Sequence, residues 1–97
     1  MTREKTIKAL SERDGRVYVM LSTPEMGEKF LRQAEAEGFT FCDGKKPTER
    51  HYENVMAVNP DMTINYVGTN GRIAYGSGAK TVDGKELIRV AYDYYIK

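Results

Sequence analysis

The sequence has little of what marks an extracellular or membrane protein. It contains one cysteine, Cys42, and no tryptophan, and a single cysteine excludes an internal disulfide framework. The longest stretch without a charged residue, 62–71, is too short and too polar to span a membrane. No apolar signal-peptide region follows residues 1–5. We therefore expect a cytoplasmic protein with no transmembrane segment.

An excess of charge of one sign is missing as well. The chain has 15 Lys and Arg residues against 14 Asp and Glu residues, which leaves a net charge of +1. Proteins that bind nucleic acid strongly carry a basic surface, and DNA mimics carry an acidic one. This composition predicts neither, so any charged binding site must be a local feature.

The length and composition fit one globular domain. A chain of 97 residues that is 40% hydrophobic and 30% charged can bury one modest core but not two. There is no internal repeat and no linker-like change of composition. We expect residues 1–97 to form a single domain.

The first half of the chain predicts a strand followed by a helix. Residues 6–13 are compatible with a short helix, and residues 16–21 are apolar on both alternating faces, as in a strand buried from two sides. Thr23 and Pro24 supply a cap and a first-turn residue for a helix over 24–37. Its apolar residues, expected to pack on the sheet, are Met26, Phe30, Leu31 and Ala34. Its outer face is expected to carry i,i+4 ion pairs, Glu25 with Lys29 and Glu28 with Arg32.

The second half of the chain predicts further strands. Residues 39–42 alternate as a short strand. Residues 54–59 and 62–67 predict a hairpin around a turn that contains Pro60. Residues 87–94 alternate with one apolar, tyrosine-rich face and predict the last strand. The expected fold is α+β, with a mixed or antiparallel sheet of about five strands and one main amphipathic helix.

The last strand also predicts self-association. A strand that ends the chain is expected at the edge of the sheet, where unpaired backbone groups invite a partner strand. We therefore expect a homo-oligomer.

Residues 68–81 are rich in glycine and look at first like a phosphate-binding loop. A Walker motif needs glycine directly before Lys-[Ser/Thr], whereas Ala79 precedes Lys80 here. Asp83 and Gly84 would also interrupt the helix that must follow such a loop. We interpret the segment as a long flexible connection whose glycines expose backbone N–H groups.

Catalytic and metal-binding residue sets are missing. Cys42 and His51 would be the one thiolate–imidazole pair, but a single cysteine among strand residues is more often a small buried hydrophobe. One His and one Cys also do not complete the ligand set of a structural or catalytic zinc site. We expect no catalytic residue, no metal and no cofactor. A small enzyme that uses His51, with or without Cys42, stays open as an alternative.

Seven tyrosines are the clearest compositional excess. Strands with one wet face explain most such tyrosines, but tyrosine also provides rigid contact area at interfaces and at base-stacking sites. Tyr52, Tyr66 and Tyr75 lie near polar segments and are the candidates for recognition.

Two segments together predict a site for a phosphate-bearing ligand. Residues 45–52 supply cations and an aromatic ring, and residues 70–75 supply an arginine in a charge-poor setting together with N–H groups. Arg72 is expected to make the strongest contact. The candidate ligand-binding residues are Lys45, Lys46, Arg50, His51, Tyr52, Asn70, Arg72 and Tyr75.

Residues 37–47 (EGFTFCDGKKP), which follow the amphipathic helix, and residues 58–64 (VNPDMTI) resemble small uncharacterised proteins encoded by phages and prophages of Firmicutes. The likeness covers about the middle two-thirds of the chain. Small phage proteins of this kind include anti-defence factors, of which some block CRISPR effectors and some sequester nucleotide immune signals. The resemblance implies action in the host cytoplasm and carries no site residue.

These observations favour a non-catalytic binding protein over an enzyme. Cations beside tyrosines suit a phosphate-bearing ligand, and near-neutral charge argues against DNA mimicry. Together with the role that the resemblance implies, they lead us to expect an immune-evasion factor that sequesters a small nucleotide signal. The alternatives are an anti-defence inhibitor that binds a host protein such as a CRISPR effector, and a small enzyme that uses His51.

Overall fold

The computed structural model describes residues 6–82 and 84–96, which form six strands and four helices. The strands are β1 (Arg16–Met20), β2 (Thr40–Phe41), β3 (Val55–Val58), β4 (Thr63–Tyr66), β5 (Thr81–Val82) and β6 (Lys85–Ala91). The helices are α1 (Ile7–Ser11), α2 (Pro24–Ala36), α3 (Gly68–Gly76) and α4 (Tyr92–Tyr95). Residues 1–5 and Asp83 lie outside the described residues. The signal-peptide expectation involves residues 1–5, and Asp83 is one of the two residues expected to interrupt a helix after the glycine-rich segment. No helix in the described ranges is long and apolar enough to cross a membrane.

The strands form one sheet in the order β2-β4-β3-β1-β6-β5. β1 lies antiparallel to β3 and parallel to β6, and β2 lies parallel to β4, so the sheet is mixed. The α+β fold is confirmed, and so is the antiparallel hairpin of β3 and β4. The additional strand is the short β5, in a segment that was expected to be a loop.

β1 is buried on both faces, as its sequence predicts. Val17 and Val19 belong to a core cluster with apolar residues of α1, α2 and α4. Tyr18 belongs to a second cluster, which contains Ala74 and Tyr75 of α3. Successive residues of a strand point to opposite faces of a sheet. Helices α2 and α3 therefore lie on opposite sides of the sheet.

Helix α2 forms as predicted, with defined ends and a buried face. The Met26 N–H donates a hydrogen bond to the Thr23 hydroxyl at 3.2 Å, which caps the first turn. Phe30 is fully buried and meets the Tyr92 ring edge-on, with the ring centroids 5.4 Å apart. Gly38 follows the helix at φ 93°, a left-handed conformation that glycine adopts at little steric cost.

The glycine-rich segment begins with a helix, so the expectation of a flexible loop over residues 68–81 is wrong for α3. Gly71 is buried, and a Cβ there would lie 2.6 Å from the Val67 Cβ and 3.4 Å from the Tyr18 hydroxyl. Glycine at this position leaves room for the Val67 side chain at the start of the helix. Most amides of a helix bond to carbonyls of the same helix, which removes the cradle of free N–H groups expected for a phosphate.

Arg89 of β6 holds the C-terminal end of α3. Its guanidinium donates hydrogen bonds to the carbonyls of Ala74 at 3.1 Å, Tyr75 at 3.0 Å and Ala79 at 2.8 Å. The carbonyls at a helix end lack partners within the helix, so these bonds complete α3 from outside. A contact of this kind has no signature in the local sequence of α3.

The chain does not continue as one strand to its C-terminal region. α4 follows β6, so the expected strand over residues 87–94 is wrong at its end. Tyr92 turns into the core, where its hydroxyl donates to Gln33 Oε1. Burial, with a contribution from the Glu37 carboxylate, raises the pKa of Tyr92 to about 12. β6 also lies between β1 and β5 rather than at the edge of the sheet, which removes the reason given for self-association through that strand.

Candidate ligand-binding groove

A groove with a volume of about 420 Å³ lies between α2 and the chain around the 3-10 turn Pro47–Glu49. The residues from α2 recur at helical spacing and are Pro24, Glu28, Leu31 and Arg32. The facing chain contributes Thr48, Arg50, His51 and Tyr52. We call this feature the α2 groove. Small-molecule sites typically have volumes of about 300–1,000 Å³, so the groove has the size of a ligand site.

The chain that faces α2 is attached to both the helix and the sheet. The Thr48 amide and hydroxyl both donate to Glu35 Oε1 of α2, at 3.2 Å and 2.5 Å. These two hydrogen bonds, the hydroxyl bond above all, lower the pKa of Glu35. Further along the chain, the Tyr66 hydroxyl of β4 donates to the His51 carbonyl at 2.7 Å. This wall of the groove is therefore held in place on two sides.

Arg50 interacts with other groups of the protein. Its guanidinium forms an ion pair with Asp43 and lies over the Phe41 ring, 5.0 Å from the ring centroid. The hydrogen bond from the Lys45 N–H, followed by the charge of Arg50, lowers the pKa of Asp43. Arg50 therefore fixes the turn before the groove and has fewer donors left for a ligand.

His51 and Cys42 do not form the pair considered from the sequence. The His51 ring stacks on Tyr66, with centroids 6.2 Å apart and planes inclined by 25°. Burial raises the pKa of Tyr66, and the charge of Arg50 opposes this rise. The Cys42 sulfur lies 3.6 Å from the Thr63 hydroxyl. No hydrogen bond joins Cys42 to His51 within residues 6–82 and 84–96.

Glu28 and Arg32 lie one helical turn apart in the groove and do not pair with each other. Neither this pair nor Glu25 with Lys29 comes within ion-pair distance, so the expected surface ion pairs of α2 are not formed. Both groove side chains are exposed, and in the described part of the chain neither makes a hydrogen bond or an ion pair. The groove thus presents one carboxylate and one guanidinium that are available to a ligand.

The ring of Tyr52 packs face-on against the backbone of α2 at Gly27. A Cβ atom at Gly27 would lie 2.3, 2.4 and 2.5 Å from the Cγ, Cδ1 and Cδ2 atoms of the ring. A point outside the ring plane that is equally far from these atoms lies on the axis through the ring centre. Gly27 therefore covers one face of the ring, and any side chain at this position would displace it.

The two segments that the sequence predicts as one ligand site lie on opposite sides of the sheet. The first segment lies at or beside the α2 groove: Arg50, His51 and Tyr52 line it, and Lys45 and Lys46 lie on the exposed turn before it. The second segment belongs to α3, on the other side of the sheet: Asn70, Arg72 and Tyr75. One site built from both segments therefore does not form, because the sheet separates them.

The lining residues from α2 and the 3-10 turn were not among the predicted site residues. They are Pro24, Glu28, Leu31, Arg32 and Thr48. The helical spacing of the four α2 residues is visible in the sequence. Their local patterns, however, predict helix capping, core packing and surface ion pairs rather than a ligand site. That this stripe faces the chain after Pro47 is a tertiary contact, which spacing alone does not reveal.

Within the described ranges, no group of three or more His, Cys, Asp and Glu residues is placed to hold a metal ion. Comparisons with protein-family models, with curated proteins and with solved structures return no match. The function is therefore inferred from the groove itself, and the resemblance to phage-encoded proteins stays a prediction.

Proposed function

We propose that the protein is a non-catalytic binding protein that captures a small nucleotide in the α2 groove. The observation that carries this proposal is Arg32, which lines a groove of ligand size and whose guanidinium makes no ion pair among the described residues. A guanidinium binds phosphate through paired hydrogen bonds, and the Tyr52 ring in the same groove offers a stacking surface for a base. Both parts of a nucleotide thus have a partner.

Binding without chemistry fits the surroundings of His51. Nucleophilic catalysis needs a nucleophile and a base within hydrogen-bond reach of each other. The imidazole stacks on Tyr66, and the Cys42 sulfur lies beside Thr63 instead. These contacts favour a role for His51 in shaping the groove over a role as a general base.

The basic groups near the groove are expected to act at different ranges. Arg32 would contact the phosphate directly. Lys45 and Lys46, exposed on the turn before the groove, would attract the anion through screened, long-range interactions. Replacing both lysines should therefore weaken binding less than replacing Arg32, and mainly at low salt.

Capture of a nucleotide without turnover would remove it from solution. For a protein that resembles phage-encoded ones, the proposed biological role is sequestration of a nucleotide immune signal in the host cytoplasm. Such a role needs tight binding and no catalytic residue.

The proposal is tested by calorimetric titration with linear and cyclic nucleotides. Arg32→Ala should weaken binding by about 10- to 100-fold, because a hydrogen bond to a charged group contributes about 1.5–3 kcal/mol. Arg32→Lys should restore only part of the affinity, since lysine lacks the paired donors. Arg72→Ala is the matched control: it removes the same charge from α3 on the other side of the sheet and should leave the affinity unchanged.

Two results would contradict this function. If Arg72→Ala weakens binding and Arg32→Ala does not, the ligand site lies on α3. Native mass spectrometry of protein from infected and uninfected cells provides the second check. If no nucleotide binds while a host protein co-purifies, the protein is an inhibitor of a protein partner instead.

A further inference from the structure

The Tyr52 ring is held in place in the absence of a ligand. Gly27 covers one face of the half-buried ring, and Tyr52 also packs against the main core cluster while it lines the α2 groove. A side chain that is already ordered loses little conformational entropy on binding, so it makes a better stacking surface than a mobile one. The groove is preformed for a flat ligand group.

Glu28 and Arg32 place opposite charges at two different points of the groove. Residues at i,i+4 on a helix have Cβ atoms about 5–6 Å apart, yet neither of these charges neutralises the other. An ionised carboxylate accepts hydrogen bonds and a guanidinium donates them. A ligand that satisfies both must carry donor groups in one part and an anionic group in another.

We infer that the α2 groove selects a guanine nucleotide, with the base stacked on Tyr52, its N–H edge at Glu28 and its phosphate at Arg32. This inference rests on the proposed function and specifies the class of ligand. Guanine has two adjacent N–H donor groups that can both bind to one carboxylate. Adenine instead has an acceptor nitrogen beside its amino group. Gly27 is a positioning residue that acts through the Tyr52 ring.

Base selection is tested by titrating the protein with GMP, AMP and ribose 5-phosphate. GMP should bind at least about tenfold more tightly than either of the others, because only GMP combines stacking with a matched donor edge. Glu28→Gln should abolish the preference for GMP over AMP, since an amide keeps the size of the side chain but loses one acceptor oxygen. Glu25→Gln removes a carboxylate from the first turn of α2, outside the groove lining, and should keep the preference.

The role of Gly27 is tested through Tyr52. Tyr52→Phe should bind GMP within about twofold of wild type, whereas Tyr52→Leu should lose about tenfold because stacking is removed. Gly27→Ala should lose as much as Tyr52→Leu, with the circular dichroism spectrum unchanged. In the double variant the Gly27 change should add no further loss, because the ring it displaces is already gone.

The outcomes separate the inference from the proposed function. Equal affinity for GMP, AMP and ribose 5-phosphate would overturn the base subsite and leave an anion site at Arg32. Additive losses in the double variant would overturn the positioning role of Gly27. If none of these ligands binds the wild-type protein, the proposed function and the inference both fail.

Discussion

At the residue scale, arginines of equal charge differ in what surrounds them. Arg50 pairs with Asp43 and lies over the Phe41 ring, whereas Arg32 makes no ion pair in the described part of the chain. The sequence predicts Arg72 as the strongest ligand contact because its neighbourhood is poor in charge, but Arg72 lies on α3, away from the groove. Whether an arginine is available to a ligand depends on what the tertiary structure places beside it.

Truncation of Phe30 tests the core on the α2 side of the sheet. The ring is fully buried against Tyr92, so Phe30→Ala should lower the free energy of unfolding by about 3–5 kcal/mol through lost burial and the cavity that remains. Urea denaturation measures this change. Ile73→Ala is the control, because Ile73 is 62% exposed and its truncation should cost little. A loss below about 1 kcal/mol for Phe30→Ala would show that this face of α2 is not buried.

Glu35 predicts a pH dependence of stability. Because the Thr48 hydrogen bonds lower the pKa of Glu35 in the folded protein, this carboxylate stabilises the fold above its unfolded-state pKa of about 4.3. The contribution is lost as the pH falls through the lower, folded-state pKa. Thr48→Val removes the hydroxyl bond, so its free energy of unfolding should fall less steeply than that of wild type between about pH 5 and pH 3.

Urea denaturation at a series of pH values measures this difference. Thr69→Val, at an exposed threonine of α3, should follow the wild-type profile. Parallel profiles for wild type and Thr48→Val would show that this hydrogen bond does not stabilise the charged form of Glu35.

At the element scale, the sequence predicts the elements whose signals are local. β1 is apolar on both faces, and α2 has a capping hydroxyl and a terminal glycine, and both form where expected. The sequence does not predict α3, because glycine usually interrupts helices, whereas Gly71 here leaves room for the Val67 side chain. One wall of the groove was predicted from local chemistry, at Arg50 and the two residues after it. The opposite wall was not, since its position depends on how α2 packs.

The stability of α3 should depend on Arg89. Arg89→Ala removes the donors to carbonyls at the C-terminal end of α3. Amide exchange within α3 should then accelerate by about tenfold, which corresponds to a loss of about 1–2 kcal/mol of local stability. Hydrogen–deuterium exchange measures this change, and the amides of α2 should be unaffected. Arg72→Ala removes a charge from the exposed side of the same helix, and exchange as fast as in Arg89→Ala would contradict the capping role.

At the scale of the whole molecule, the sheet separates two surfaces with different chemistry. The α2 side carries the groove, with Arg32, Glu28 and the fixed Tyr52 ring. The α3 side carries Arg72 on a helix whose end is closed by Arg89. A ligand that contacted both surfaces would have to cross the sheet, so a small nucleotide can bind on only one of the two surfaces.

Titration of the ¹⁵N-labelled protein with GMP, followed by amide chemical shifts, tests most directly whether a nucleotide binds in the α2 groove. The groove predicts shift changes centred on the α2 residues from Gly27 to Arg32 and on the facing chain from Thr48 to Tyr52, with the amides of α3 unchanged. Changes centred on Arg72 and its neighbours in α3, or no changes at high GMP concentration, would contradict it.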